Sequence, residues 1–239
     1  MFDKQIIYLE SVGSTNRYLM EGEFEPGTVV SAKYQTDGKG RSGRKWKSIP
    51  GENLFFSVIL PKFPNDKILG TQIVAGYAMV ETLMPYADVR LKWPNDVVCA
   101  NKKIGGLLIE TQFAGSTLKK IVLGIGVNIN SFPPEFSARA ASLSVFMDTE
   151  PPCADIIMKS ALERLSELFN AYIADELDIT EEWPCYSAYY SKKLHFHKNG
   201  VLKLLIEKGI TSDGRLIGLN ENGEEEVISV EEIGYDFRI

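Results

Sequence analysis

Apolar positions recur along the chain in two rhythms, and the change from one to the other divides it. "IIYLE" reads as a short strand, and "STNRYLME" after it as a helix with Ser14 or Thr15 at the N-cap. "GTVVSAKYQ" and "NLFFSVIL" read as strands on either side of a glycine-punctuated basic segment. Residues 66–84 have helical spacing, with Ile68, Ile73, Val74, Tyr77, Val80 and Leu83 along one stripe. "VRLKWPNDVVCANKKIGGLLIETQF" reads as strand, turn, strand, hairpin, strand, and "KKIVLGIGVNIN" as one more strand. Residues 154–174 form the clearest amphipathic helix. Beyond about residue 188 the rhythm becomes period two, with turn pairs at Asp213-Gly214 and Asn222-Gly223, which suggests five short strands in a small barrel. The predicted class is α+β: a mixed, mostly antiparallel sheet with helices over 1–188, because short turns rather than regular crossover helices join its strands, and a small barrel over 189–239.

Composition narrows the classes. At 239 residues and 44% hydrophobic, the chain can bury a full core, and no apolar run approaches the roughly 18 residues that span a bilayer. The start lacks the layout of a signal peptide. Cys99, Cys153 and Cys185 are odd in number, far apart and without a CxxC pair. These features predict a cytoplasmic protein without disulfides or a zinc knuckle. A formal net charge of −6 argues against general nucleic-acid coating.

Within that acidic chain, residues 33–48 gather six cations (Lys33, Lys39, Arg41, Arg44, Lys45, Lys47) against one anion, Asp37. Gly38, Gly40 and Gly43 spell GxGxxG, but a dinucleotide fingerprint needs a helix directly afterwards, and "RKWKSIPG" supplies none. No Walker pattern is present. The glycines let backbone N–H groups approach an anion, Arg41 and Arg44 offer planar donor forks, and Trp46 offers a plane on which a nucleobase stacks. A solvated loop anchored by its Trp, or a nucleic-acid contact, uses the same ingredients. In "LKWPND" Pro94 rigidifies a turn, and the returning strand can bring Lys92, Asp96 and Lys103 to one side. In "GIGVNIN" Gly124 and Gly126 let backbone pass close to a ligand, and Asn128 shares the face of Gly126.

The ordered set "STN", "YQ…GKGRSGRKW", "NLFFS", "LKWPND", "KKIGGLLIE", "GIGVNIN" and "ASL" resembles the biotin–protein ligase (biotin holoenzyme synthetase) family from about residue 5 to 145. The resemblance implies a class II synthetase-like catalytic fold followed by an SH3-like barrel. It is closest to the monofunctional class, so no DNA-binding domain and no repressor role are expected. It implies two steps: biotin's carboxylate attacks the α-phosphate of ATP, carried with Mg2+, to give biotinyl-5′-AMP, which then acylates a lysine of a biotin carboxyl carrier protein domain. Carried over position by position, Ser14, Thr15, Asn16 and Gln35 match the segments that hold the biotin ring, and Lys39, Gly40, Arg41, Lys103 and Gly106 also fall on biotin-binding positions. Arg41, Arg44, Trp46, Lys103 and Asn128 match adenylate-binding positions, with Asn128 near the Mg2+. Lys103, Arg41, Asp96 and Lys92 are the implied catalytic set, Lys103 bridging carboxylate and α-phosphate. The usual GRGRRG loop carries Lys39 and Ser42 here in place of two arginines; Lys keeps charge and loses the bidentate fork. Family members are monomers or homodimers, and no membrane or DNA partner is implied.

His195 and His197 share a strand face without a third ligand nearby, and Glu224–Glu226 reads as a solvated hairpin. Two rival functions are lipoate ligation or acyl transfer in the same superfamily, and nucleic-acid binding through residues 33–47.

Overall fold

A computed structural model describes Phe2, residues 5–198 and residues 201–230. In chain order the elements are β1 (Gln5–Leu9), α1 (Thr15–Glu21), β2 (Thr28–Ala32), β3 (Gly38–Lys39), β4 (Lys45–Trp46), β5 (Leu54–Leu60), α2 (Ile68–Leu83), β6 (Val89–Lys92), β7 (Asp96–Cys99), β8 (Lys102–Ala114), β9 (Thr117–Val127), α3 (Ala154–Ile173), α4 (Ile179–Tyr186), β10 (Lys193–Lys198), β11 (Val201–Ile210), β12 (Leu216–Leu219) and β13 (Glu225–Ile228). The main sheet has seven strands in the order β1-β2-β5-β9-β8-β7-β6. Every neighbouring pair is antiparallel except β1 and β2, which α1 connects as a parallel crossover. The mixed α+β class expected from the strand rhythm is therefore the observed one.

All seven residues of β5 are buried, because α1 covers one face of the sheet and α2 and α3 the other. Leu19, Val30, Ile59 and Val122 form a small core beneath α1. α3 buries Ile157, Met158, Ala161, Leu162, Leu165, Phe169 and Tyr172, the stripe its sequence spacing predicts. α2 departs from the single stripe expected of it. Thirteen of its sixteen residues are buried, since it is wedged between the sheet, α3 and α4. α4 was invisible to periodicity, being eight residues long with Pro184 inside; Asp178 caps it, accepting from the Thr180 amide at 2.8 Å.

The C-terminal strands pair antiparallel in the order β10-β11-β12-β13, with Gly214 and Gly223 at positive φ in the two expected turns. Among the described residues this sheet is open, not the closed five-stranded barrel the sequence suggested. Its apolar face is covered by the main body instead of by its own curl. Leu194, Phe196, Leu205, Ile210, Leu216 and Ile228 join the main core, and Trp93 Nε1 donates to the Gly214 carbonyl at 2.9 Å. Glu207 on β11 is fully buried and accepts from Trp183 Nε1 at 2.9 Å and from Ser187 Oγ. His195 is exposed on β10, while the side chain of His197 lies outside the described residues. Among the described residues no helix is long and apolar enough to cross a membrane.

Candidate active site

The basic segment folds into a flap. β3 and β4 pair Gly38 with Trp46 and Lys39 with Lys45, around a tight turn at Arg41–Gly43. Ser42 (φ 54) and Gly43 (φ 72) both take the left-handed region that closes the turn. At the base, Asp37 pairs with Arg17 at 2.6 Å, and Asp37's amide donates to the Gly13 carbonyl at 2.8 Å. The flap is thereby tied to the start of α1. Lys33 turns away to Glu10 at 2.7 Å, while Lys47 reaches Glu135 at 2.6 Å.

Under the flap lies a cleft of about 820 Å³. Among the described residues its lining includes eight cationic side chains, five from the flap and Lys92, Lys103 and Arg139 from elsewhere, against a single carboxylate, Asp96. The floor is the sheet face, organised in transverse rows. One row runs Gly126, Gly106, Asp96, Lys92 across β9, β8, β7 and β6. The indole of Trp46 lies on its two glycines: a Cβ at either would sit 3.0 Å from the ring. Lys103 Nζ stands 5.2 Å from the Trp46 ring centroid and 2.5 Å from Asp96 Oδ1. Lys92 is opposite Asp96 in register; burial pulls its ammonium below the ordinary lysine range, Asp96 opposes that, and Lys103 and Arg44 reinforce it.

The next row along the strands is Ser57, Gly124, Leu108, from β5, β9 and β8. The Asn16 amide lies flat across it, 2.1 Å from where a Cβ on Gly124 would be. Its Nδ2 donates to Glu110 Oε2 at 2.8 Å and to the Leu108 carbonyl at 3.3 Å, and its Oδ1 lies 2.6 Å from Ser57 Oγ. Thr15's amide donates to Gln35 Oε1 at 2.9 Å. Ser14, the N-cap of α1, accepts from the Arg17 amide at 3.4 Å. The far end of α1 is held by Lys120 of β9, whose ammonium donates to the carbonyls of Leu19, Met20 and Gly22 at 3.0, 3.1 and 2.6 Å.

The model of the biotin/lipoate A/B protein ligase family matches residues 8–128, the segment that builds α1, the flap and both glycine rows. The chain belongs to the biotin/lipoate A/B protein ligase family. The biotin protein ligase of Aquifex aeolicus, solved with biotin and ATP, is similar over 98% of this chain and 100% of that one, at 28% identity and a TM-score of 0.83. Among curated relatives, the bifunctional ligase/repressor BirA of Bacillus spizizenii is 29% identical over 87% of this chain and 71% of its own length. The Escherichia coli protein of the same name is 39% identical over 52% of this chain. This chain spans only 40% of that relative's length.

In this ligase-family chain every residue expected to bind or react lines the one cleft: Ser14, Thr15, Asn16, Gln35, Lys39, Gly40, Arg41, Arg44, Trp46, Lys92, Asp96, Lys103, Gly106 and Asn128. The geometry refines several of them. Arg41 Nη1 donates to Asn95 Oδ1 at 3.1 Å and Nη2 to the Val230 carbonyl at 3.4 Å, so the flap tip joins the KWPND turn to the segment just after β13. Asn128 lines the cleft and spends its amide nitrogen on the Ala141 carbonyl at 3.1 Å. Sequence reading passed over Arg139 and Phe136, which a loop after β9 brings to the cleft, and Ser57 and Glu110, which sit behind it. Their signals were weak: a lone Arg in "ARAASL" and polar residues inside apolar strands.

Proposed function

We propose that this chain is an ATP-dependent biotin–protein ligase, making biotinyl-5′-AMP and passing the biotinyl group to a lysine of a biotin carboxyl carrier protein domain. Membership of the family and the likeness to an enzyme solved with biotin and ATP support it. The observation that carries it is the Lys103 ammonium, held by Asp96 inside a strongly cationic cleft beneath the flap.

In the first step a carboxylate oxygen forms a bond to the α-phosphorus and pyrophosphate leaves with the bonding pair. Nucleophile and electrophile are both anionic, so their approach requires fixed positive charge around them. The flap cations supply it together with Lys103, whose ammonium stands beside the Trp46 ring and is held by Asp96. Trp46 offers its ring to the adenine, and Ser14, Thr15 and Gln35 offer hydrogen bonds to the biotin ring. Closure of the flap keeps water from the mixed anhydride.

In the second step the acceptor lysine's amine attacks the anhydride carbonyl and AMP departs. Asp96 orients Lys103, since its carboxylate is already committed to that ammonium. Mg2+ enters as part of Mg-ATP. Among the described residues no cluster of three His, Cys, Asp or Glu could hold a metal, and phosphate oxygens and water make up the shell that Mg2+ prefers. Asn128, which lines the cleft, would offer its side-chain oxygen to such a hydrated ion.

The test is ATP–pyrophosphate exchange dependent on biotin, followed by transfer to an apo carrier domain, with lipoate as the competing acid. Exchange with lipoate and none with biotin would give the site to the rival substrate; failure with both would remove the enzyme reading.

A further inference from the structure

The flap is a ribbon of only two register pairs, Gly38 with Trp46 and Lys39 with Lys45. Two paired strands of that length do not hold a position in water by themselves. Where the flap rests is therefore set by what its side chains reach. Its base is held by Asp37 on Arg17, and its tip by Arg41 on Asn95 and on the Val230 carbonyl. Where the chain leaves the flap, Lys47 Nζ stands 2.6 Å from Glu135 Oε1 and 5.6 Å from the centroid of the Phe136 ring. Glu135 and Phe136 belong to the loop after β9, and that loop is a firm mount. Pro133 and Pro134 fix its entry, and a single 3-10 turn spans Pro134–Phe136. The Phe136 carbonyl accepts from the Arg139 and Ala140 amides, both at 2.8 Å. Lys102 Nζ then donates to the Ser137 and Ala138 carbonyls at 2.8 Å each. The Lys103 amide donates to the Arg139 carbonyl at 2.9 Å, and the Ala141 amide to the Lys103 carbonyl at 3.0 Å. The loop is thus fastened to the stretch of β8 that carries Lys103, and the Lys47–Glu135 pair ties the flap to that same strand.

We propose that Glu135 is a positioning residue: it clasps Lys47, holds the flap shut, and so sets how long the adenylate stays in the cleft. Glu135 itself does not line the cleft, whereas Phe136 and Lys47 do. The side chains of the pair are 50% and 54% exposed, so salt screens the clasp and its strength is modest. A modest clasp suits a flap that must open to admit substrates and close again over the intermediate. The identity of the retained molecule rests on the biotin ligase reading of the site; the clasp does not.

The experiment takes two readouts on the full chain. The first is the dissociation rate of biotinyl-5′-AMP. Glu135→Gln should raise it about two- to fivefold, and Glu135→Lys, which sets like charges face to face, about tenfold. Raising salt from about 0.05 to 0.5 M should speed release from wild type and leave Glu135→Gln nearly unmoved. Joining Lys47→Glu to Glu135→Lys reverses the pair, and retention should return toward wild type although each change alone loosens it. The second readout is acrylamide quenching of tryptophan fluorescence in the unliganded chain. Trp93 and Trp183 are 2% and 0% exposed, so a rise in quenching reports Trp46 and hence the flap. Quenching should increase in Glu135→Gln, increase further in Glu135→Lys, and recover in the reversed pair. Unchanged quenching in both Glu135 variants overturns the clasp whatever the ligand is. Faster release without recovery in the reversed pair also overturns it, because a merely disturbed loop would not be repaired by exchanging charges. Quenching that responds while dissociation stays constant overturns the role in retention. A wild-type chain that neither makes nor holds biotinyl-5′-AMP, with quenching still responsive, sinks the proposed function and leaves the clasp standing.

Discussion

Replacing Gly124 with Ala tests the transverse-row description of the floor. The new methyl would stand 2.1 Å from Asn16 Oδ1, closer than any real contact. The backbone has no room to retreat, because Gly124 is paired on both sides, to Ser57 on β5 and Leu108 on β8, in the middle of the sheet. Asn16 must therefore move and give up its bonds with Glu110, Leu108 and Ser57. At about 1 kcal/mol net for each, the loss is about 3 kcal/mol, with buried partners left unpaired adding to it. For a chain of this size that lowers Tm by roughly 6–12 °C. Gly126→Ala is the internal control. Its methyl would meet the Trp46 ring at 3.0 Å, but that ring belongs to a flap that can lift. Stability should change by less than about 1 kcal/mol, while biotin-dependent exchange falls because the flap no longer seats. Urea or thermal unfolding of both variants beside wild type, with exchange assays, makes the comparison. A Gly124→Ala protein as stable as wild type, or equal losses at both positions, would refute the reasoning.

Lys103→Gln should cut biotin-dependent exchange by roughly 10²–10³, the scale of losing one charge stabiliser in a closed site, with little change in unfolding because the pair with Asp96 is partly exposed. A loss below tenfold would remove Lys103 from the chemistry. Asp96→Asn should slow adenylation and transfer together by loosening Lys103; a block confined to transfer from preformed biotinyl-AMP would make Asp96 the base instead. Lys120→Met uncaps the far end of α1 and should raise KM for biotin several-fold while leaving KM for ATP in place, and a change in both would count against it. Burial pushes the Glu207 carboxyl above its ordinary value of 4.5, with the Ser187 and Trp183 donors pulling it partly back. From 4.5 up to its native value the folded state keeps a proton that the unfolded state has lost, so stability falls as pH rises through that window. Urea titrations should show this fall in wild type and a flatter profile in Glu207→Gln; parallel profiles would show that Glu207 does not drive it.

The sequence alone determined the elements whose periodicity is local. The strand pair around the flap, the helix over 154–174, and the Gly214 and Gly223 turns each follow from spacing within a few residues. It also determined which chemistry was available, because the glycines, cations and Trp46 of residues 38–46 sit together in the chain. Tertiary structure decided the rest, since those facts depend on what stands across a sheet. That Lys33 faces Glu10 and leaves the cleft, while Arg139 enters it from a distant loop, is a matter of packing. That Gly106 and Gly126 face each other, making one floor for one indole, is a matter of register along a long hairpin that brings together two glycines twenty residues apart. The small sheet stays open because the main body covers its apolar face, a partner that alternation along the strand cannot name. Ser57 shows the limit most clearly. In sequence it is one hydroxyl inside "NLFFSVIL"; its meaning comes from Thr15, Asn16 and Gly124, which only the folded sheet brings to it.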